Sequence, residues 1–189
     1  TAKDYGMSVA AHAHGDEGMY RAVASGVKTI EHGTLMSKRT MKLMIEKQAY
    51  LVPTITAGKQ VVEKAKIPGY YPAIIVPKAL KVGPKIQETF RKAYEMGVPI
   101  AFGTDAGVFS HGLNGKEFGY MVEVGMPANE ALQSATIVNA SILDQEDKLG
   151  QIKAGFYADI IASDSNALDN ISSLENITFV MKNGVVYKQ

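Results

Sequence analysis

Cysteine is absent from this sequence of 189 residues, and neither sign of charge is in excess. Without cysteine the chain has no disulfide framework, no thiol nucleophile and no thiolate metal site, so any metal ion must be held by imidazole and carboxylate groups. Such ligands suit zinc, manganese, iron or cobalt. The 20 basic and 19 acidic residues leave a formal net charge of +1, which argues against nucleic acid or an anionic membrane surface as the main partner.

Long apolar runs and a targeting segment are missing as well. No run approaches the roughly 18 residues of a membrane-spanning helix, and residues 1–8 lack the basic start and apolar core of a signal peptide. We therefore expect no membrane partner; a cytoplasmic location is slightly favoured, and the compartment stays open. The content of 46% hydrophobic and 21% charged residues is typical of a folded globular chain.

Short apolar segments alternate with amphipathic segments over the first hundred residues. The pattern predicts strands at residues 7–11, 27–31, 51–55 and 98–102, and helices at 17–25, 37–47 and 85–96. Strands that alternate with helices are typical of parallel packing in α/β folds. The sequence therefore predicts an α/β fold.

One long connection interrupts this alternation. Residues 64–78 are polar and contain prolines together with the paired Tyr70 and Tyr71. A connection of this length is unusual in a compact domain unless it has a role, such as that of a lid over a site. Tyr70 is therefore a candidate substrate-binding residue, with packing of the paired rings as the alternative.

The character of the sequence changes after about Leu149. Residues 150–162 and 179–187 are rich in β-formers, and Asn183 followed by Gly184 between two apolar runs is a strong hairpin signal. We therefore place a domain boundary here, with an α/β region over residues 1–148 and a small β element over residues 149–189.

The residues capable of catalysis collect where the predicted strands end. His12, His14 and His32 follow predicted strands, Asp105 follows the fourth, and His111 lies in the loop beyond it. The carboxyl ends of parallel strands meet at one face, where ligands and catalytic groups gather. Two imidazoles and a carboxylate that converge there form the ligand set expected of a catalytic zinc-type site.

Each of these residues also has a plainer interpretation. A single histidine such as His32 is more often a packing residue, Asp105 could cap a helix after a plain turn, and His111 could be a solvated loop residue. Glu31 precedes His32 and is expected to point away from it, as a structural residue. The joint occurrence at strand ends favours the functional interpretation.

Four motifs in this order resemble those of the amidohydrolase superfamily. They are HAHG at residues 12–15, IEHG at 30–33, FGTDAGVFSHGLN at 102–114 and LGQIKAGFYADI at 149–160. The likeness is greatest to the imidazolonepropionase-related branch, which includes metal-dependent Xaa-Pro dipeptidases and arginine carboxypeptidases. It implies strands five to eight of a (β/α)₈ TIM-type barrel, followed by the C-terminal strands of a small β-sandwich.

The resemblance also implies roles for individual residues. His12 and His32 match the metal ligands of strands five and six, and Asp105 matches the aspartate of strand eight, which binds metal and shuttles a proton. His14 and His111 match positions that face or cover the substrate. The strand-one His-x-His pair and the strand-four lysine of the family have no counterpart here. We therefore expect a C-terminal fragment that needs either the missing N-terminal half or another copy of itself.

The expected function is that of a metal-dependent hydrolase of amide or peptide bonds, similar to a dipeptidase or carboxypeptidase and acting on a dipeptide or another small molecule. The expected cofactor is a divalent metal, zinc before manganese, iron or cobalt, in a mononuclear or binuclear centre of the complete enzyme. The alternatives are an imidazolonepropionase-like hydrolase of a cyclic amide or carbamate, a catalytically inert fragment that only assembles, and a non-hydrolytic binding protein.

Overall fold

The computed structural model describes residues 1–189, and its internal contacts separate two units, Thr1–Ser110 and His111–Gln189. The first unit begins with a 3₁₀ helix at Ala2–Tyr5 and continues with β1 (Ala10–Ala13), α1 (Asp16–Ala24), β2 (Thr29–His32), α2 (Lys38–Lys47), β3 (Tyr50–Val52), α3 (Ile55–Ala65), α4 (Val76–Val82) and α5 (Lys85–Glu95). The domain boundary after residue 148 stays a prediction.

The strands of the first unit form a parallel sheet. Its order is β1-β2-β3, and both strand pairs are parallel. The predicted fourth strand, residues 98–102, lies beside β3 through a parallel bridge between Leu51 and Ile100. Leu51 also donates to the carbonyl of Pro99 and accepts from the amide of Ala101, both at 2.9 Å. The α/β prediction is thus confirmed.

Alternation along the strands divides the sheet into two faces. Ile30 and Leu51 are in register and fully buried, and with the apolar residues of the helices they form the core. The buried helix residues include Met19, Val23, Met41, Met44 and Phe90. The residues in register on the opposite face include His12 and Glu31, so the polar groups stand on the side of the sheet away from this core.

The loops at the carboxyl ends of β1 and β2 are joined through Asp16. Its Oδ1 accepts hydrogen bonds of 2.7 Å from the amide of Ser37 and from Oγ1 of Thr40. Ser37 is the N-cap of α2, as the sequence predicted, and its hydroxyl accepts from the Thr40 amide. One carboxylate therefore fixes the start of α1 against the start of α2.

The long connection is shorter than predicted. Helix α3 runs to Ala65 and α4 begins at Val76, so only residues 66–75 lie outside the two helices. The proline in the first turn of α4 favours a helix start, because its missing N–H is not needed there. Tyr70 lies within this connection.

The second unit is built from short helices and an antiparallel sheet. It contains α6 (Lys116–Glu123), α7 (Ala128–Gln133), a π-helical turn (Ser134–Val138), α8 (Asn139–Ile142), β4 (Ile160–Ser163), a 3₁₀ helix (Ile171–Glu175), β5 (Ile177–Lys182) and β6 (Val185–Lys188). The sheet order is β4-β5-β6. Asn183 and Gly184, with φ of 48° and 78°, form the two-residue turn between β5 and β6, which confirms the predicted hairpin. None of the helices in either unit has the length and apolar character required to cross a bilayer.

Candidate metal centre

Three histidines of the first unit form one cluster. The ligand nitrogens of His12, His14 and His32 all lie within 4.8 Å of one another, and the ring centroids are 4.5 to 4.9 Å apart. With metal–nitrogen bonds of about 2.1 Å, two nitrogens on one tetrahedral ion are about 3.4 Å apart. The widest pair would have to close by up to about 1.4 Å, a movement that the exposed side chains of His12 and His14 allow by rotation. The donor set therefore fits a zinc-type ion.

The local backbone brings His32 to His12. In the register of β1 and β2, His12 is paired with Glu31 and Ala13 is paired with His32. Regular strands would thus place His12 and His32 on opposite faces. His32, however, has a φ of 72° and leaves strand geometry at the end of β2. Its ring centroid consequently lies 4.5 Å from that of His12.

Two threonines hold the rings of the cluster from behind. The Nδ1 of His14 lies 2.7 Å from Oγ1 of Thr34, and the Nδ1 of His32 lies 2.7 Å from Oγ1 of Thr54. These hydrogen bonds occupy Nδ1 in both rings. Nε2 is therefore the nitrogen that each ring has left for a metal ion.

The protonation state of the cluster suits metal binding. Burial, with the neighbouring His12 and His14, lowers the pKa of His32 to about 4. Burial, followed by the charges of His12 and Lys78, also lowers the pKa of His14. Both imidazoles are consequently neutral near pH 7, and neutral imidazole is the form that binds metals.

Asp105 lies near the cluster without being part of it. Its carboxylate is not among the groups whose ligand atoms lie within 4.8 Å of one another. Its charge nevertheless acts to raise the pKa of His14, of His32 and of Glu31. Asp105 is exposed and has a φ of 57° in the loop that follows residues 98–102. The structure thus brings a carboxylate within electrostatic range of the imidazoles, and its role as a ligand stays a prediction.

Glu31 lies on the same face of the sheet as His12, because the two are in register. The expectation that Glu31 points away from His32 assumed regular alternation, which the φ of His32 breaks. Burial raises the pKa of Glu31 above its usual value, although Oε1 accepts a hydrogen bond of 2.5 Å from Oγ1 of Thr29. Glu31 is therefore a neighbour of His12 across the strand pair β1 and β2, through their register.

The other two predicted substrate-binding residues lie on surface segments. Tyr70 is 49% exposed, and its ring stands edge-to-face against that of Tyr71 with centroids 4.9 Å apart. The Nζ of Lys64 lies 5.5 Å from the centroid of the Tyr70 ring. His111 is exposed in the turn that precedes α6, at the start of the second unit. Substrate binding by either residue stays a prediction.

Comparison with known proteins gives extended matches. The model of the amidohydrolase family matches residues 1–188. A crystal structure of a Xaa-Pro dipeptidase with bound methionine in the active site is 59% identical, with a TM-score of 0.96 over 100% of this chain and 46% of that chain. A prolidase complexed with N-methylphosphonate-L-proline is 32% identical, with a TM-score of 0.89 over 100% of this chain and 47% of that chain.

A curated relative gives a similar result. Ochratoxinase of Aspergillus niger is 31% identical over 194 residues, which cover 95% of this chain and 38% of that protein. The chain thus spans less than half the length of the relatives it matches. The similarity along the full chain confirms the resemblance that the motifs indicated and the predicted fold class.

Proposed function

The chain belongs to the amidohydrolase family, and we propose that its protein is a metal-dependent hydrolase of peptide or other amide bonds. The observation that carries this proposal is the cluster of His12, His14 and His32, whose ligand nitrogens lie within 4.8 Å of one another where parallel strands end. Polar groups at the carboxyl ends of parallel strands are the usual catalytic groups of this kind of fold.

Dipeptides with a carboxyl-terminal proline are the proposed substrates. The support comes from the 59% identity with a Xaa-Pro dipeptidase, together with the similarity to a prolidase complexed with an L-proline phosphonate. Both similarities extend over the whole of this chain.

His12, His14 and His32 would hold the divalent ion, zinc before manganese, iron or cobalt. When bound, such an ion lowers the pKa of a water molecule to about 7 and polarises a carbonyl group. The neutral state of His14 and His32 at pH 7 leaves one nitrogen of each ring without a proton and able to bind the ion.

Asp105 is the proposed proton shuttle. Its carboxylate takes a proton from the attacking water as the water oxygen bonds to the carbonyl carbon. It returns that proton to the amide nitrogen as the carbon–nitrogen bond breaks, so that the leaving amine departs neutral. The charge of Asp105 acts on the pKa of His14 and of His32, so its carboxylate is within electrostatic range of the imidazoles, which supports this role.

The remainder of the protein would complete the site. Strand β1 is at the edge of the parallel sheet, and both Ala10 and His12 are exposed there. An unpaired edge of a parallel sheet is normally covered. We propose that further strands pair with β1, contributed by another part of the protein or by a second copy of the chain. Whether the centre holds one or two metal ions depends on the ligands that they bring.

Activity on proline dipeptides, measured with a matched pair of variants, tests the proposal. Asp105→Asn should reduce turnover about 100-fold to 10,000-fold, the usual contribution of a general base. Asp144→Asn is the control, because Asp144 is also exposed and has a φ of 53°, close to the 57° of Asp105, but is not among the charges that act on the pKa of His14 or His32. Chelation should abolish activity and added Zn²⁺ should restore it. Hydrolysis that survives chelation, or equal activity of the two variants, would contradict the proposal.

A further inference from the structure

The threonines behind the histidines follow a repeated arrangement across the sheet. His14 follows β1 and is bonded to Thr34, which follows β2. His32 ends β2 and is bonded to Thr54, which follows β3. The two bonds have the same length, 2.7 Å, and join residues 20 and 22 positions apart. Each histidine is thus held by a hydroxyl from the next strand of the sheet.

Both hydroxyls are buried and firmly placed. Thr34 is 0% exposed and Thr54 is 2% exposed. The carbonyl oxygen of Thr34 accepts a hydrogen bond of 2.7 Å from Oγ1 of Thr89 on α5, which anchors the Thr34 backbone. Thr54 has a φ of 52°, a left-handed conformation that a β-branched residue rarely adopts. Strained conformations of this kind persist only where the surroundings hold them, and they are frequent at functional sites.

Two other hydroxyls, those of Ser134 and Thr136, are satisfied locally. The Ser134 hydroxyl donates to the carbonyl of Ala131, and the Thr136 hydroxyl donates to that of Leu132, each within one helical turn. Thr34 and Thr54 are different because their hydroxyls meet imidazole nitrogens that come from another strand end. A buried hydroxyl needs a hydrogen-bond partner, but this need does not explain why two threonines both find theirs in imidazoles of the same cluster.

We propose that Thr34 and Thr54 are positioning residues, whose hydroxyl oxygens accept the Nδ1–H of His14 and His32 and thereby direct both Nε2 atoms into the space shared with His12. This inference rests on the proposed metal-dependent function. A ring held in one tautomer and one orientation presents its lone pair to the ion before the ion arrives, which strengthens binding.

Serine and alanine variants of the metal-free chain test the tautomers directly. Serine and alanine differ at these positions by one hydroxyl group, and both remove the β-branch that is unfavourable at Thr54. Side-chain ¹⁵N NMR of the 189-residue chain should show the Nδ1–H tautomer of His14 and His32 in the wild type, in Thr34→Ser and in Thr54→Ser. In Thr34→Ala the His14 ring, and in Thr54→Ala the His32 ring, should shift toward the Nε2–H tautomer that predominates in free histidine.

Thr40→Ala is the matched control. Thr40 is 0% exposed and its hydroxyl makes a hydrogen bond of 2.7 Å to Asp16, without contacting an imidazole. Its loss should lower stability while leaving both tautomers unchanged. A tautomer change in this control as large as in Thr54→Ala would reduce the effect to general destabilisation and overturn the inference.

Zn²⁺ affinity, measured by competition with a chelator, gives the second readout. Each alanine variant should bind Zn²⁺ about 10-fold to 100-fold more weakly than the wild type, the usual effect of losing a partner behind a metal-binding histidine. The serine variants should bind as the wild type does. Equal affinity of the serine and alanine variants would overturn the inference, as would an Nε2–H tautomer of His32 in the wild type.

The two readouts separate this inference from the proposed function. A wild-type chain whose tautomers follow the threonine hydroxyls, but which takes up no Zn²⁺, would support the positioning role and contradict the metal-dependent function. A chain that binds Zn²⁺ and hydrolyses dipeptides, with tautomers indifferent to the hydroxyls, would overturn the positioning role and leave the function intact.

Discussion

His12 and His32 lie on neighbouring parallel strands, one step out of register, yet their ring centroids are only 4.5 Å apart. The approach depends on the left-handed backbone of His32, with its φ of 72°, which is followed by a left-handed Gly33 with a φ of 61°. Two successive left-handed residues end β2 abruptly and carry the His32 ring to the face where His12 stands. The cluster is thus a product of the way the strand ends.

Gly33 is expected to be indispensable to this strand end. A Cβ at Gly33 would lie 2.5 Å from Cδ1 of Leu51 and 3.1 Å from Cε of Met36. Gly33→Ala should therefore lower the free energy of unfolding through both backbone strain, about 1–2 kcal/mol, and overpacking, about 1–3 kcal/mol. Urea denaturation measures the sum.

Gly26→Ala separates the two contributions. Gly26 also has a positive φ, 87°, but a Cβ there would have no neighbour within 4 Å. This variant should lose only the strain contribution of about 1–2 kcal/mol. Equal losses in the two variants would contradict the packing argument for Gly33.

The stability of the metal-free chain should depend on pH through His32. Burial, with its two histidine neighbours, lowers the pKa of His32 from 6.5 to about 4 in the folded chain. Between these values the unfolded chain binds a proton that the folded chain does not. The free energy of unfolding should therefore fall as the pH is lowered from about 6.5 to about 4, and the contribution of this residue should become constant below that range.

Urea denaturation at several pH values, repeated with His32→Gln, isolates this contribution. The variant has no titratable group at the position, so its stability should decline less over the same pH range. Identical slopes for the wild type and the variant would show that His32 titrates normally in the folded chain.

Asp16 should contribute substantially to the stability of the loops around the cluster. Burial tends to raise its pKa, but the hydrogen bonds from Thr40 and Ser37 outweigh this effect, and the pKa of Asp16 is lowered. Asp16→Ala should reduce the free energy of unfolding by about 1–3 kcal/mol, because it leaves hydrogen-bond donors without their charged acceptor. A double-mutant cycle with Thr40→Ala should give a coupling energy above about 0.5 kcal/mol.

Asp4→Ala serves as the control for Asp16. Asp4 is exposed and paired only with the N-terminal amine at 3.4 Å, an arrangement that contributes little to stability. Its loss should change the free energy of unfolding by less than about 1 kcal/mol. Additive effects of Asp16→Ala and Thr40→Ala would contradict the link between α1 and α2.

Much of this fold could be predicted from local sequence patterns. The alternation of apolar and amphipathic segments gave the parallel α/β arrangement, and Asn183 with Gly184 gave the hairpin. The strand predicted at residues 51–55 ends earlier, at Val52, since Pro53 cannot donate to the ladder and Thr54 is left-handed. The boundary was missed because the apolar Ile55 belongs to the helix that follows.

The candidate site could be predicted only in part. The positions of His12, His14 and His32 after strands predicted that imidazoles would gather. Their pairing with Thr34 and Thr54 could not be predicted, because it depends on which residues of neighbouring strands face each other. Register is set by packing of the whole sheet, and a single sequence does not state it.

The central claim is that His12, His14 and His32 share one metal ion. Anomalous diffraction at the zinc absorption edge, from crystals of the chain prepared with Zn²⁺, tests it most directly. The account predicts a strong peak about 2.0–2.1 Å from a nitrogen of each of the three rings, with the Nε2 atoms of His14 and His32 facing it. A zinc peak away from these rings, or none in a chain whose three imidazoles stand together as they do here, would contradict it.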